Sequence, residues 1–378
     1  EFGDMEAWEA RGLARVLSHD AGTAYRLYEK GEVEAWMRRA LGEKNITEIM
    51  VAEMEAARTG SRQQREPDVV VARCGIAVAP DGPIRMKGRA IYPSGFGTAL
   101  TEAIVTKRDP GPLVHMLVAG LPGSWKALQN KHKVQLVQPP PDLEYVRNML
   151  ERHGMGFGVE RVLYELDETV PCQSPMLDSF YVLTPSDLLR ALERIAPTKS
   201  RHGKPIDAHI AAFLMVRFRK LEDWLLKSLN DELDPGRSVV AMAQILASMQ
   251  ERLGNKKLPG IAKWIISMAD PAIDRLHNHN TRQQVRAQIE ELAEEGMIGP
   301  IVAILDDPTT SNADANQYSK AQAKFGRVVD EIAKLEDEVA DPSMLAKGFG
   351  RELAAVVSGI IGIFGISSVI GYYFLGLS

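Results

Sequence analysis

Apolar positions recur at helical spacing through the first part of the chain. Between residues 5 and 58, Trp8, Leu13, Val16 and Leu17 fall on one stripe, which Tyr25, Tyr28, Val33, Trp36, Met37 and Leu41 continue. Steps of three and four predict amphipathic helices here. A polar run from Ser61 to Pro67 interrupts the pattern, and the period then shortens. Residues 69–78 are rich in β-branched side chains and lead into the turn sequence Pro80-Asp81-Gly82-Pro83; residues 84–91 alternate apolar with basic positions. Together these predict a hairpin near 69–92, with 69–78 and 84–91 as its two strands. Pro93-Ser94-Gly95-Phe96-Gly97 closes it, a helix begins near Thr98 and runs to Val105, and 109–141 reads as irregular, ending in Pro139-Pro140-Pro141.

Downstream the pattern is almost wholly helical. Asp142 is placed to cap a helix with Leu143, Val146, Met149 and Leu150 inward and Gly154 as its stop. Thr184-Pro185-Ser186-Asp187 opens another, with Pro185 at the first helical position and Leu188, Leu192 and Ile195 inward. Residues 198–205 form a polar, basic linker. Ile206, Ile210, Phe213, Leu214, Phe218, Leu221 and Leu225 then keep helical spacing over about five turns. Further helices are predicted over 237–253, 259–268 and 282–295, the last with Thr281 and Gln284 as a capping box and Gly296 as its stop. Residues 314–338 read as a strongly charged helix, solvated on most faces. Uneven lengths without a fixed repeat favour a bundle over a solenoid.

The last stretch has a different character. From Leu353 to Leu377 there is no Asp, Glu, Lys, Arg, His, Asn or Gln. As a helix this run is roughly 37 Å long, against a hydrocarbon core of about 30 Å. Leu353, Ile360, Phe364, Val369, Tyr372 and Leu377 are its anchoring side chains, and Tyr372 and Tyr373 suit the far interface. Lys347 and Arg351 precede the run and no basic residue follows, which puts the bulk of the chain on the cytoplasmic side. Ser358 with Gly362, and Ser367 with Gly371, are spaced for close helix–helix contact and make a homodimer a candidate. Its five glycines would also suit a buried core helix; the uncharged length favours a span.

The fold class expected is therefore mainly α, in four parts: a helical N-terminal segment (1–62), a small α+β domain (63–197), a helical bundle (198–342), and a juxtamembrane segment with one transmembrane helix (343–378). With 378 residues, 45% hydrophobic and 25% charged, the chain has globular composition and room for two or three domains. A net charge of -5 argues against binding nucleic acid by bulk charge. Two cysteines, Cys74 and Cys172, make neither a disulfide framework nor a C-x-x-C site. The opening Glu1-Phe2-Gly3-Asp4 carries no secretory pattern and no initiator methionine, as expected of a processed chain or a piece of a longer one.

Candidate chemistry is sparse. Arg85, Lys87 and Arg89 would project from one strand face, with Arg73 on the partner strand, either as an anion site for phosphate groups or as a solvated face. Lys126, Lys131, His132 and Lys133 form a second basic patch. Gly154-Met155-Gly156-Phe157-Gly158-Val159 departs from G-x-G-x-x-G and follows a helix, so it reads as a helix stop. His277-Asn278-His279, near Asp270 and Asp274, lacks the converging third ligand a metal needs. Cys172 has no neighbouring base and reads as a structural thiol. No catalytic, cofactor or metal residue is assigned.

Gly82-Pro83-Ile84-Arg85-Met86-Lys87-Gly88 with Pro93 to Leu100, Gly158 to Leu166 with Pro171-Cys172-Gln173-Ser174-Pro175, and Pro205 to Phe213 resemble stretches in the C-terminal, non-catalytic half of bacterial serine/threonine protein kinase-like proteins. The likeness covers most of residues 1–340. It implies a kinase-like domain on the N-terminal side, whereas this chain has no V-A-I-K lysine, no H-R-D-x-x-x-x-N and no D-F-G. The expected role is a membrane-anchored regulatory or interaction region at a bacterial inner membrane, with the bilayer and a protein bound by the bundle as partners and no cofactor. One alternative is a cytoplasm-facing enzyme whose site in 63–197 would join Cys172, His153 and an acid. The other is a tail-anchored scaffold unrelated to kinases.

Overall fold

The computed structural model describes residues 5–132, 143–198, 201, 203–218, 223–254, 256–340 and 342–376. The expected caps and contacts at Asp142, Lys133, Leu221 and Leu377, the proline run 139–141 and the opening 1–4 lie outside them. The fold is mainly α, with one small two-stranded sheet and one long apolar C-terminal helix. Contacts divide it into two units, Glu1–Arg275 with Gln284–Asp306, and Leu276–Gln283 with Asp307–Ser378.

In the first unit, helices Ala10–Leu17, Ala21–Glu29 and Lys44–Thr59 pack around helix Pro67–Val78. That central element corrects the expected strand. Pro67 stands at its first position and Asp68 in its first turn, both favourable at a helix N-terminus. Val69, Val70, Val71, Ala72, Cys74, Ile76, Ala77 and Val78 are all buried. A helix enclosed on every side is apolar all round, so its sequence loses the polar face that distinguishes it from an interior strand. Trp8 leaves the stripe expected for it: it precedes the first helix and is 83% exposed.

The hairpin lies wholly inside the second expected strand. Strand β1, Ile84–Met86, pairs antiparallel with β2, Arg89–Ile91, setting Ile84 opposite Ile91, Arg85 opposite Ala90 and Met86 opposite Arg89. Lys87 and Gly88 form the two-residue turn, with φ of 49° and 73°. Positive φ at both central positions gives the turn whose twist matches the strands. Trp125 donates its indole N–H to Gly82 O at 2.8 Å, tying the turn before the hairpin to helix Leu121–His132. As far as His132, that helix and Gly111–Val118 replace the irregular chain expected over 109–141. Leu113, Met116, Leu117, Leu121, Trp125 and Leu128 are among their buried positions, and Gly120, at φ 71°, separates them.

Helix Glu144–Glu151 starts after Leu143 and carries Val146 inward. Thr184 and Asp187 form a reciprocal capping box on Pro185–Ile195. The expected five-turn helix after Ile206 ends at Arg217, where Phe218 leaves helical geometry; Asp223–Leu229 is a separate helix. Pro235–Arg252 is the axis of this half, in contact with Asp223–Leu229, Asp270–Ile273 and Ile298–Leu305. Gln250, 3% exposed, donates through Nε2 to Lys256 O and Gly296 O, both at 2.7 Å, and accepts from Ile298 N–H at 2.9 Å. Helix His279–Glu295 begins before the expected Thr281 box, because the Asn278 side chain accepts from Asn280 N–H at 2.9 Å. Gly296 does end it, at φ 73°.

In the second unit Asp314, 4% exposed, accepts from the backbone N–H groups of His277 and Asn278 at 2.6 and 2.8 Å. The His277 ring stacks on Tyr318 with centroids 3.9 Å apart. The unit is otherwise two long helices, Pro308–Ala340 and Pro342–Leu375.

Candidate functional site: an apolar C-terminal helix and the cations of the first unit

Within Pro342–Leu375, residues Ala346–Phe374 form a 29-residue segment whose most apolar stretch of 18 residues has a mean hydropathy of 2.3 and is not buried at all. It is long and apolar enough to cross a membrane, extending about 43 Å at about 1.5 Å per residue. No proline interrupts it, so its backbone groups pair internally, as a low-dielectric medium requires. Leu353, Phe364 and Tyr372 are each at least 70% exposed, and Ile360 and Val369 are exposed too. Ser358, Gly362, Ser367 and Gly371 lie on the same exposed helix, with nothing within 4 Å of the position a Cβ would take on either glycine.

The four cations expected on one sheet face are not together. Arg73 is on helix Pro67–Val78, where it donates from Nε and Nη2 to Glu53 Oε2 at 3.2 and 2.6 Å. Arg85 and Arg89 sit on opposite faces, because Arg89 is directly across from Met86 and Arg85 across from Ala90. Lys87 is in the turn, 3.6 Å from Asp68 and 3.2 Å from His115 Nδ1. The misplacement follows from the Lys87-Gly88 turn: a chain reversal inside 84–91 breaks the parity that alternation along one strand would impose.

Sequence reading missed the charged cluster that does form. Lys131 donates to Glu53 Oε1 at 2.8 Å, so one carboxylate, its side chain 8% exposed, receives two cations from two helices. Burial raises the Glu53 pKa, and the hydrogen bonds from Lys131 and Arg73 outweigh that and hold it below the ordinary glutamate value. Glu53, Arg73 and Lys131 line a cleft of about 840 Å³ with Gln64, Arg147 and Glu151. One sequence signal could have found it: Glu53 falls on the buried stripe of Thr47, Met50, Met54 and Ala57, where an acid demands a partner. Of the rest of the second basic patch, Lys133 lies outside the described residues, Lys126 is on the same helix as Lys131, and burial, ahead of other effects, lowers the His132 pKa.

A second polar cluster surrounds Cys172. Tyr164 Oη accepts from Gln173 N–H at 2.8 Å and lies 3.3 Å from His209 Nδ1 and 4.0 Å from Cys172 Sγ. Ser174 donates to Asp207 Oδ2 at 2.5 Å, while Asp207 Oδ1 caps Ala208–Arg217 by accepting from Ile210 N–H. Burial pushes the Cys172 thiol up to about 12 and raises Tyr164 well above its ordinary value. Such a thiol is a poor nucleophile, and His153 is exposed on the loop after Glu144–Glu151, so the Cys172–His153 pairing that the alternative enzyme reading requires is not formed. Gly154, Gly156 and Gly158 all have positive φ and shape that loop; a Cβ on Gly156 would stand 3.1 Å from Met215 Cγ. Among the described residues no group of three or more His, Cys, Asp or Glu is placed to hold a metal ion.

No family model matches the sequence, and comparison with curated proteins and with solved structures gives no match.

Proposed function

We propose that this chain is a membrane-anchored, non-catalytic regulatory or interaction region, similar to the C-terminal half of a bacterial serine/threonine protein kinase-like protein, with its bulk on the cytoplasmic face of the inner membrane. The observation that carries the anchoring is Ala346–Phe374, whose apolar side chains face outward along its length. Water penalises such a surface by about 25 cal/mol per Å² of apolar area, and a hydrocarbon interior does not. Lys347 and Arg351 at its start support the cytoplasmic assignment. The mechanism is positional: the span confines the helical body, and whatever it binds, to the membrane surface.

Fractionation tests the anchoring. The full chain should stay with carbonate-washed membranes while residues 1–344 stay in the supernatant; equal partition of the two overturns it. Orientation is read in spheroplasts, where the body should resist added protease until the inner membrane is broken. The kinase connection is decided by the reading frame before Glu1: a complete kinase core supports it, and an in-frame stop codon removes it.

A further inference from the structure

Helix Pro308–Ala340 carries a second apolar surface. Tyr318, Phe325, Val328, Ile332, Leu335 and Val339 are between 43% and 74% exposed. With Ala321 they fall on a strict seven-residue repeat: Tyr318, Phe325, Ile332 and Val339 at its first position, Ala321, Val328 and Leu335 at its fourth. Only Val329 among the large apolar residues of 318–339 lies off this seam, and it is adjacent to it. None of the nine charged residues in that stretch (Lys320, Lys324, Arg327, Asp330, Glu331, Lys334, Glu336, Asp337 and Glu338) occupies either position. A helix covering a globular core shows a broad stripe of period 3.6; a narrow seam of period 3.5 is the pattern of a helix wound about another helix.

We propose that this seam is filled by a second copy of the chain, in a parallel two-stranded coiled coil over about residues 321–339, beyond the Tyr318 ring that stacks on His277 of its own chain. A partner must present an equal run of such positions, and this chain presents one itself. β-branched Ile332 and Val339 at the first position with Leu335 at the fourth is the combination that favours two parallel strands. The parallel sense also rests on the anchoring proposed above, since copies held by one membrane point the same way. In that register Glu331 faces Glu336 of the second copy, a like-charge pair that weakens the association and offers a handle on its geometry.

The test uses the full chain in detergent micelles and in vesicles. Leu335→Cys should give a disulfide-linked dimer under mild oxidation, whereas Lys334→Cys, one residue away on the outer face, should not; the native thiols are buried in both. Adding Ile332→Asp should cut the Leu335→Cys dimer by about tenfold or more, because a charge then enters the seam. Glu336→Lys should increase it by replacing the repulsive pair with an attractive one. No dimer from Leu335→Cys, or equal dimer from Lys334→Cys, overturns the proposal; unchanged yield with Glu336→Lys overturns the parallel register. The chain's failure to partition into membranes while the Leu335→Cys dimer persists would defeat the anchoring reading and leave the coiled coil standing.

Discussion

Arg73 and Glu53 face each other from adjacent helices, 2.6 Å apart, with the arginine side chain 14% exposed and the carboxylate 8% exposed. Breaking such a pair from one side leaves a largely buried cation without its counter-charge. Glu53→Gln should lower stability by about 2–3 kcal/mol. This is below the range for a fully buried pair, because the amide keeps one acceptor and Lys131 is half exposed. Urea titration measures it; a change within about 0.5 kcal/mol, the range for surface substitutions, would contradict the assignment.

The same carboxylate sets an acid limit. Its pKa is lower in the folded chain than in the unfolded one, so the unfolded chain binds more protons and stability rises with pH. The contribution is complete above about pH 4.3, the ordinary glutamate value, and is lost as pH falls through the depressed folded value. The stabilities of wild type and Glu53→Gln should therefore begin to converge as pH falls below about 4.3 and meet below the depressed folded value; parallel curves down to the acid transition would speak against it.

Both thiols, Cys74 and Cys172, are buried and pushed up to about 12. At neutral pH about one in 10⁵ would be ionised. A chromogenic disulfide reagent should find no fast-reacting thiol in the native chain and two in denaturant. Rapid reaction of Cys172 in the folded state would reopen a catalytic role for it.

Tyr164→Phe removes the acceptor of the Gln173 N–H. The orphaned donor should cost about 1–3 kcal/mol, visible as a lowered melting temperature, with Cys172 reacting faster as the cluster loosens. A neutral substitution would show that water can replace the hydroxyl.

Gly296→Ala combines two penalties. The backbone is left-handed there, φ 73°, and the new Cβ would lie 2.7 Å from the backbone nitrogens of Leu258 and Pro259. About 1–2 kcal/mol comes from the conformation and about 1–3 from the overlap. Gly254→Ala, with positive φ and nothing within 4 Å, should show only the first.

Local grammar is legible in the sequence: the Thr184–Asp187 cap, the Gly296 stop and the uncharged C-terminal run each depend on neighbours within a few positions. Helix Pro67–Val78 reads as a strand because full enclosure erases the polar face that marks a helix. Arg85 and Arg89 read as sharing one face because a two-residue reversal inside an alternating run leaves the alternation intact while inverting its meaning. The Glu53 cluster joins residues 20 and 78 positions apart, and only tertiary packing brings Arg73 and Lys131 to the same carboxylate.

Gln250 tolerates little sequence drift. Its amide gives two protons to carbonyls and takes one from Ile298. Glutamate has no proton to give, lysine and leucine have no lone pair to offer, and asparagine is one methylene too short. In a saturation library this site should admit almost nothing but glutamine, although no chemistry occurs there.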